Sequence, residues 1–196
     1  MYGLYDGSEV IAELVAPLKV VSNRPIFVSD SLALGRRVTK RTAQRWEVET
    51  RLMPMSYGAN DLFAFMLDSE YDSPLTLIVP QNVGAKLART AASTVTATGA
   101  QGSTTVTLAG SDGLIPKGTF VKFAGQSKVY VTMSDRTGNG TINIFPELRA
   151  AVADAAMTYK DDVQMLCTFD TDTVIGMAYE EGWLMDLGTI KLIERV

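Results

Sequence analysis

The sequence predicts a mainly β protein: a sandwich or barrel with one short helix, carrying an inserted small antiparallel β domain. Three observations predict it. Residues 103–148 hold four short segments that alternate apolar and polar side chains, separated by glycine-bearing breaks, as half-buried strands joined by turns must. Residues 42–53 alternate in the same way over a longer run. Composition shifts near residue 88 into an Ala-, Thr- and Gly-rich stretch, which is where an insertion would begin.

Taken in order, residues 8–21 read as extended, and Pro17 prevents anything longer than one helical turn there. Residues 26–34 follow as a short extended piece or a loop. In 42–53, Trp46, Val48, Thr50 and Leu52 share one face, and Arg45, Glu47, Glu49 and Arg51 the other. Asn60 is a good N-cap and Asp61 suits a first turn, so 60–68 reads as a short helix. Its apolar stripe is Leu62, Phe63, Phe65 and Met66. Too short to stand alone, it is expected to pack on the sheet face that carries Trp46.

Residues 75–79 form an apolar strand stopped by Pro80. The four inserted strands are 103–108, 119–123, 128–133 and 141–145, with Asn139 and Gly140 supplying the positive φ of the last hairpin. Residues 150–156 are small and read as a return linker, and 163–169, 173–179 and 188–195 as further strands. The expected organisation is a discontinuous parent β domain, residues 1–88 plus 160–196, interrupted by an inserted β domain at 89–159. Such insertions are tolerated where the ends of a loop lie close together. Trp46, Phe63, Phe65 and Tyr130 are expected in the core.

Composition narrows the function. With 46% apolar and 20% charged residues over 196 positions, the chain is folded rather than disordered. A net charge of −4 is too mild for bulk attraction to nucleic acid. There is no histidine, which excludes a histidine base and removes the commonest zinc ligand. The single cysteine, Cys167, lies in an apolar strand and reads as a buried, inert thiol. No apolar run approaches the roughly 20 residues of a bilayer span, and the N-terminus lacks a basic-then-apolar signal pattern. The expectation is a product of the cytoplasm with no membrane partner.

Carboxylates cluster at Asp161 and Asp162, at Asp170 and Asp172, and at Glu180 and Glu181. Converging in a pocket they would suit a cation or an acid–base pair. Calcium-loop spacing is absent, and solvated loops are the plainer reading. Gly138-Asn-Gly140 lacks phosphate-loop spacing, and no Gly-x-Ser-x-Gly elbow occurs. No catalytic, cofactor or metal residue is assigned, and an enzyme is not expected.

Charge is unevenly spread. Arg36, Arg37, Lys40, Arg41, Arg45 and Arg51 fall within sixteen residues, against Glu47 and Glu49, whereas residues 154–186 hold eight acids and one base, Lys160. A nucleic-acid patch, head-to-tail complementarity between subunits, and a plain solvated surface all fit this pattern. Arg36, Arg37, Lys40, Arg41 and Arg45 are the candidate subunit-contact or lumen-facing residues.

The order of motifs is also informative. Arg45-Trp46-Glu47 precedes a polar loop, a short helix with Phe63 and Leu67, and an apolar strand ended by proline. Leu114-Ile-Pro-Lys-Gly118 then leads through Thr119–Phe123 to Lys128-Val-Tyr130, and a glycine-rich hairpin leads to Pro146-Glu-Leu-Arg149. Over roughly residues 42–150 this series resembles tail and baseplate proteins of tailed bacteriophages, of the distal-tail or a related tube-adaptor type. The resemblance implies a structural virion subunit, made in the host cytoplasm, that forms a ring, usually hexameric. Such a ring joins the tail tube to the hub and leaves a lumen through which DNA passes as cargo. Its partners would be further copies of the chain and neighbouring tube and hub subunits, with no cofactor. A carbohydrate- or receptor-binding β module is the alternative, and would need exposed aromatics such as Tyr57, Tyr71, Tyr179 or Trp183 in a groove. A hydrolase with two facing carboxylates ranks last.

Overall fold

The computed structural model describes residues 3–6, 9–30, 36–40, 43–53, 64, 67, 73–92, 94–170, 178–180, 184–186 and 188–196. In chain order its strands are β1 (Gly3–Asp6), β2 (Glu9–Asn23), β3 (Ile26–Asp30), β4 (Arg36–Lys40), β5 (Arg45–Leu52) and β6 (Leu75–Ile78). After helix α1 (Val83–Ala88) come β7 (Val95–Gly99), β8 (Thr105–Ala109), β9 (Leu114–Ile115), β10 (Phe120–Phe123), β11 (Val129–Thr132) and β12 (Arg136–Thr137). The last are β13 (Gly140–Phe145), β14 (Val152–Thr158), β15 (Gln164–Phe169), β16 (Ala178–Glu180), β17 (Leu184–Asp186) and β18 (Thr189–Glu194).

These strands build two closed barrels. The first has the order β1-β2-β5-β18-β15-β6, the second β10-β11-β13-β8-β7-β14. Closure leaves no free sheet edge in either. Three two-stranded ribbons, β3–β4, β9–β12 and β16–β17, complete the description. The protein is thus mainly β, with closed barrels as its architecture.

Period-two patterning explains the first barrel. On β5, Trp46, Val48, Thr50 and Leu52 are buried while Arg45, Glu47, Glu49 and Arg51 face outward. Met165, Cys167 and Phe169 of β15 and Ile190 and Leu192 of β18 meet them, with Leu4, Leu75 and Leu77. The second core gathers Val106, Leu108, Val121, Phe123, Tyr130, Ile142 and Ile144.

Several expectations are corrected. Residues 150–156 are not a linker, because β14 closes the second barrel between β7 and β10. Its alanines disguise it, since alanine is a weak strand former. A bulge between Val152 and Ala155, with Asp154 at φ 48, breaks the alternation further. In the Ala/Thr/Gly stretch, β7 is likewise a barrel strand; at Gly99 any Cβ would meet Leu148 Cδ1 at 2.7 Å. The four-strand module is therefore a six-strand barrel. Positive φ in the last hairpin falls on Gly138 and Gly140, while the Asn139 side chain accepts from the Ser111 N–H at 2.9 Å.

Of the helix expected over residues 60–68, only Ala64 and Leu67 are described, and both are helical; Phe63 and Phe65 lie outside the described residues. α1 was not anticipated. Asn82 caps it, its Oδ1 accepting from Gly84 N at 2.9 Å. The described rings beside Trp46 come from the second barrel: the Trp46 ring stands edge-on to Phe120 at 5.7 Å and to Phe145 at 6.2 Å.

Register fixes the ends of the first barrel. Arg45 pairs with Asn23, and Glu47 with Ile193, so β2 ends, β5 begins and β18 ends at the same mouth. Ile78 pairs with Gln164 there too, and the second barrel is spliced into this β6–β15 hairpin. We call this the near mouth. At the far mouth Arg51 pairs with Thr189, and the Asp170 N–H donates to Lys191 O.

Candidate assembly interface

Two ribbons extend hairpins of the first barrel beyond its wall. β3–β4 continues the β2–β5 hairpin out of the near mouth, after Arg24 and Pro25, with Ile26 opposite Lys40, Val28 opposite Val38 and Asp30 opposite Arg36. β16–β17 is carried by the β15–β18 hairpin, whose turn lies at the far mouth. Gly188, with φ 74, leads back into β18.

Every described side chain of β3–β4 is exposed. This includes the apolar Ile26, Phe27, Val28 and Val38, at 52, 54, 46 and 47% of full exposure. Because side chains alternate across a strand, Ile26 and Val28 share one face with the cross-strand Val38. Ribbons with two wet faces are marginal in water by themselves.

Of the candidate residues, Arg36 and Arg37 lie exposed on β4. Lys40 ends that strand opposite Ile26, and its side chain is outside the described set. Arg41 lies outside the described residues. Arg45 opens β5 at the root of the ribbon, and its Nε donates to Glu47 Oε1 at 3.1 Å. Asn23 Nδ2 donates to the same oxygen at 2.6 Å. The structure thus brings Arg36, Arg37 and Arg45 onto one hairpin and its root.

That root borders the seam between the barrels. A cleft of about 530 Å³ is lined there by Asn23, Gln44, Arg45, Arg149 and Glu194. A second, of about 350 Å³, shares Gln44 and Arg149 and reaches Lys128. The Gln44 amide donates to Ser22 Oγ at 3.0 Å, while its buried Oε1 has no hydrogen-bond partner.

Beneath the clefts the seam is a polar lock. Lys128 Nζ donates to Glu194 Oε2 and, at 3.0 Å, to Gln44 O. The same carboxylate accepts from Trp46 N at 3.0 Å and from Val129 N at 2.8 Å. Trp46 Nε1 donates to Val129 O at 2.8 Å. Burial pushes the Lys128 ammonium below its ordinary value, and the neighbouring Glu194 charge opposes that shift. Farther along, Gln81 Nε2 donates to Phe120 O and Lys160 O, both at 2.9 Å, and its Oε1 accepts from Phe120 N at 2.9 Å. These bonds tie the barrels to one another.

Sequence reasoning missed Glu194 and Gln81. For Glu194 a signal existed: in residues 188–195 it falls in phase with Ile190 and Leu192, which face inward.

Of the carboxylate clusters, only Asp161, Asp162 and Asp170 have described side chains. Asp161 pairs with Lys86 at 2.8 Å, and Asp162 accepts from Lys160 N at 3.2 Å, both exposed. Among the described residues no group of three or more acids or cysteines could hold a metal ion. Asp172, Glu181, Tyr57, Tyr71 and Trp183 lie outside the described residues, as do the side chains of Tyr179 and Glu180. Cys167 is buried, with burial raising its thiol pKa to about 12, helped by the Glu194 charge.

No protein-family model matches the chain, and no curated protein matches its sequence.

Proposed function

We propose that this protein is an assembling structural subunit of a tailed-bacteriophage tail or baseplate, which joins copies of itself into a ring between the tail tube and the distal hub. The observation that carries the reading is the β3–β4 ribbon, which presents Ile26, Phe27, Val28 and Val38 to water beside Arg36 and Arg37. An apolar patch rimmed by charge marks a surface that another molecule covers. The motif series running from Arg45-Trp46 through Lys128-Val-Tyr130 to Pro146-Glu-Leu-Arg149 supports the tail assignment by its resemblance to distal-tail and tube-adaptor proteins. The barrels supply rigid walls, the seam holds them in one orientation, and the ribbon is the part that reaches a neighbour. The work is done by assembly, with DNA passing through the ring.

Electron microscopy of the purified chain tests this. Class averages with a rotational axis and a central hole are expected. Single two-lobed particles at every concentration would overturn the reading.

A further inference from the structure

The turn between β12 and β13 lies in the run Arg136-Thr-Gly-Asn-Gly140, and it plays no part in the assembly proposed above. Asn139 is one of five asparagines in the chain and is the one followed by glycine. It is exposed, yet its amide is oriented. The Ser111 N–H donates to its Oδ1 at 2.9 Å, and only the oxygen of an amide can accept. No described residue accepts from Nδ2. The Arg136 guanidinium donates through Nη2 to the Asn139 carbonyl oxygen, which belongs to the same peptide group as the Gly140 nitrogen. Gly140 has φ 124, and a Cβ there would run into that guanidinium. Glycine is therefore required at this position, and no side chain shields its nitrogen.

We infer that Asn139 is a self-modification site, at which the Gly140 main-chain nitrogen attacks the Asn139 side-chain amide and the residue becomes isoaspartate.

The Gly140 nitrogen gives its proton to water or hydroxide and forms a bond to Cγ. The Cγ–Nδ2 bond breaks, Nδ2 takes up a proton and leaves as ammonia, and a succinimide ring remains. Water then opens the ring. Attack at the main-chain carbonyl gives isoaspartate, and attack at the side-chain carbonyl gives aspartate. Water is the only other reactant consumed.

Each contact bears on one step. Negative charge develops on Oδ1 as the nitrogen adds, and the Ser111 N–H already points at that oxygen, as an oxyanion donor does. The Arg136 cation sits on the Asn139–Gly140 peptide group and favours its ionised form, so the N–H is lost more easily. Gly140 makes the first pairing of β13, opposite Leu108, and terminal pairings open at least cost. The product brings a new carboxylate to the neighbourhood of Arg136, whose buried Nε has no hydrogen-bond partner while residue 139 is an amide. Isoaspartate also adds a carbon to the main chain where Asn139 ties the hairpin to Ser111.

The test is peptide mapping by mass spectrometry of the full chain, held at pH 7.5 and at pH 9 and sampled over weeks. A synthetic peptide of residues 134–144 supplies the same Asn-Gly bond without the fold. Conversion adds about 1 Da to the fragment that carries Asn139, and isoaspartate is read by a carboxyl methyltransferase specific for it. The native chain should convert Asn139 at least as quickly as the peptide does, and faster at pH 9, with its other asparagines unchanged. Arg136→Gln should slow conversion in the full chain at least about threefold, and Arg136→Lys, which keeps the charge, should restore most of the rate. A native chain that converts Asn139 more slowly than the peptide would overturn the inference, and that comparison needs no variant. An Arg136→Gln chain that is folded by circular dichroism and converts as fast as the native one would overturn it too.

Discussion

Lys128 of the second barrel and Glu194 of the first form an ion pair that is sealed from water. Neither side chain belongs to the apolar lattice of its own barrel, and each is held by a main-chain group across the seam, Gln44 O on the lysine and Val129 N on the carboxylate, which also accepts from Trp46 N of its own barrel. The pair therefore specifies how two independently closed barrels meet. Such a pair is weak evidence of added stability, but breaking it is costly because a buried charge is left behind.

Lys128→Met should destabilise the chain by about 3–5 kcal/mol, since it strands the Glu194 carboxylate. Glu194→Gln should also destabilise it, leaving the Lys128 ammonium without its countercharge. The double variant should lose less than the two single losses added together, by about 0.5–3 kcal/mol. Urea unfolding of the four proteins measures this. Strict additivity would mean that the pair does not couple the barrels.

Gln81→Ala removes three hydrogen bonds to the main chain of Phe120 and Lys160. Left without partners at a buried site, these groups should cost about 1–3 kcal/mol in total stability. Gln81→Glu can still accept from Phe120 N but cannot donate, so it should not rescue the loss. Hydrogen exchange at the Phe120 amide should accelerate in Gln81→Ala and remain slower in Gln81→Glu, which keeps that bond.

The Cys167 thiol gives an alkaline signature. In the unfolded chain it ionises near the ordinary value of 9, whereas in the folded protein its pKa is raised to about 12. Above pH 9 the unfolded state therefore binds fewer protons than the folded one, and stability contributed by this group falls as pH rises towards 12. Cys167→Ala removes the titration. The stability difference, native minus Cys167→Ala, should decline through that window and stay flat below pH 8. The native thiol should also resist an aromatic disulfide reagent until the chain unfolds.

Val28→Ser combined with Val38→Ser should leave the unfolding free energy of the monomer within about 0.5 kcal/mol, because both side chains are already half exposed. Burying one valine is worth about 1.5 kcal/mol or more. Self-association should therefore weaken at least about tenfold, as read by sedimentation. Loss of stability without loss of association would mean that these valines serve the fold rather than the contact.

Parts of this architecture were legible in the sequence for plain reasons. β5 announced itself because Trp46, Val48, Thr50 and Leu52 alternate without error against charged neighbours. β8, β10, β11 and β13 were readable because large apolar residues mark their inner faces. β7 and β14 were not, because alanine, threonine and glycine fill narrow places in a barrel wall while carrying little strand signal. The basic run at 36–45 was visible as composition. Its placement on an extended hairpin at the near mouth, away from the turn that carries residues 170–188, comes only from register. Lys128 and Glu194 are 66 residues apart and on different barrels. Period-two phasing could place Glu194 inward, but nothing local to either residue names its partner.

The central claim is that one face of this chain is built to receive another copy of it. Light scattering coupled to size exclusion, run on the native chain over a range of concentrations and salt, tests that most directly. The account predicts a discrete species at a whole-number multiple of the 21.2 kDa chain mass, six-fold if the ring is hexameric, dissociating as salt rises. A mass of one chain at every concentration and at low salt would contradict it.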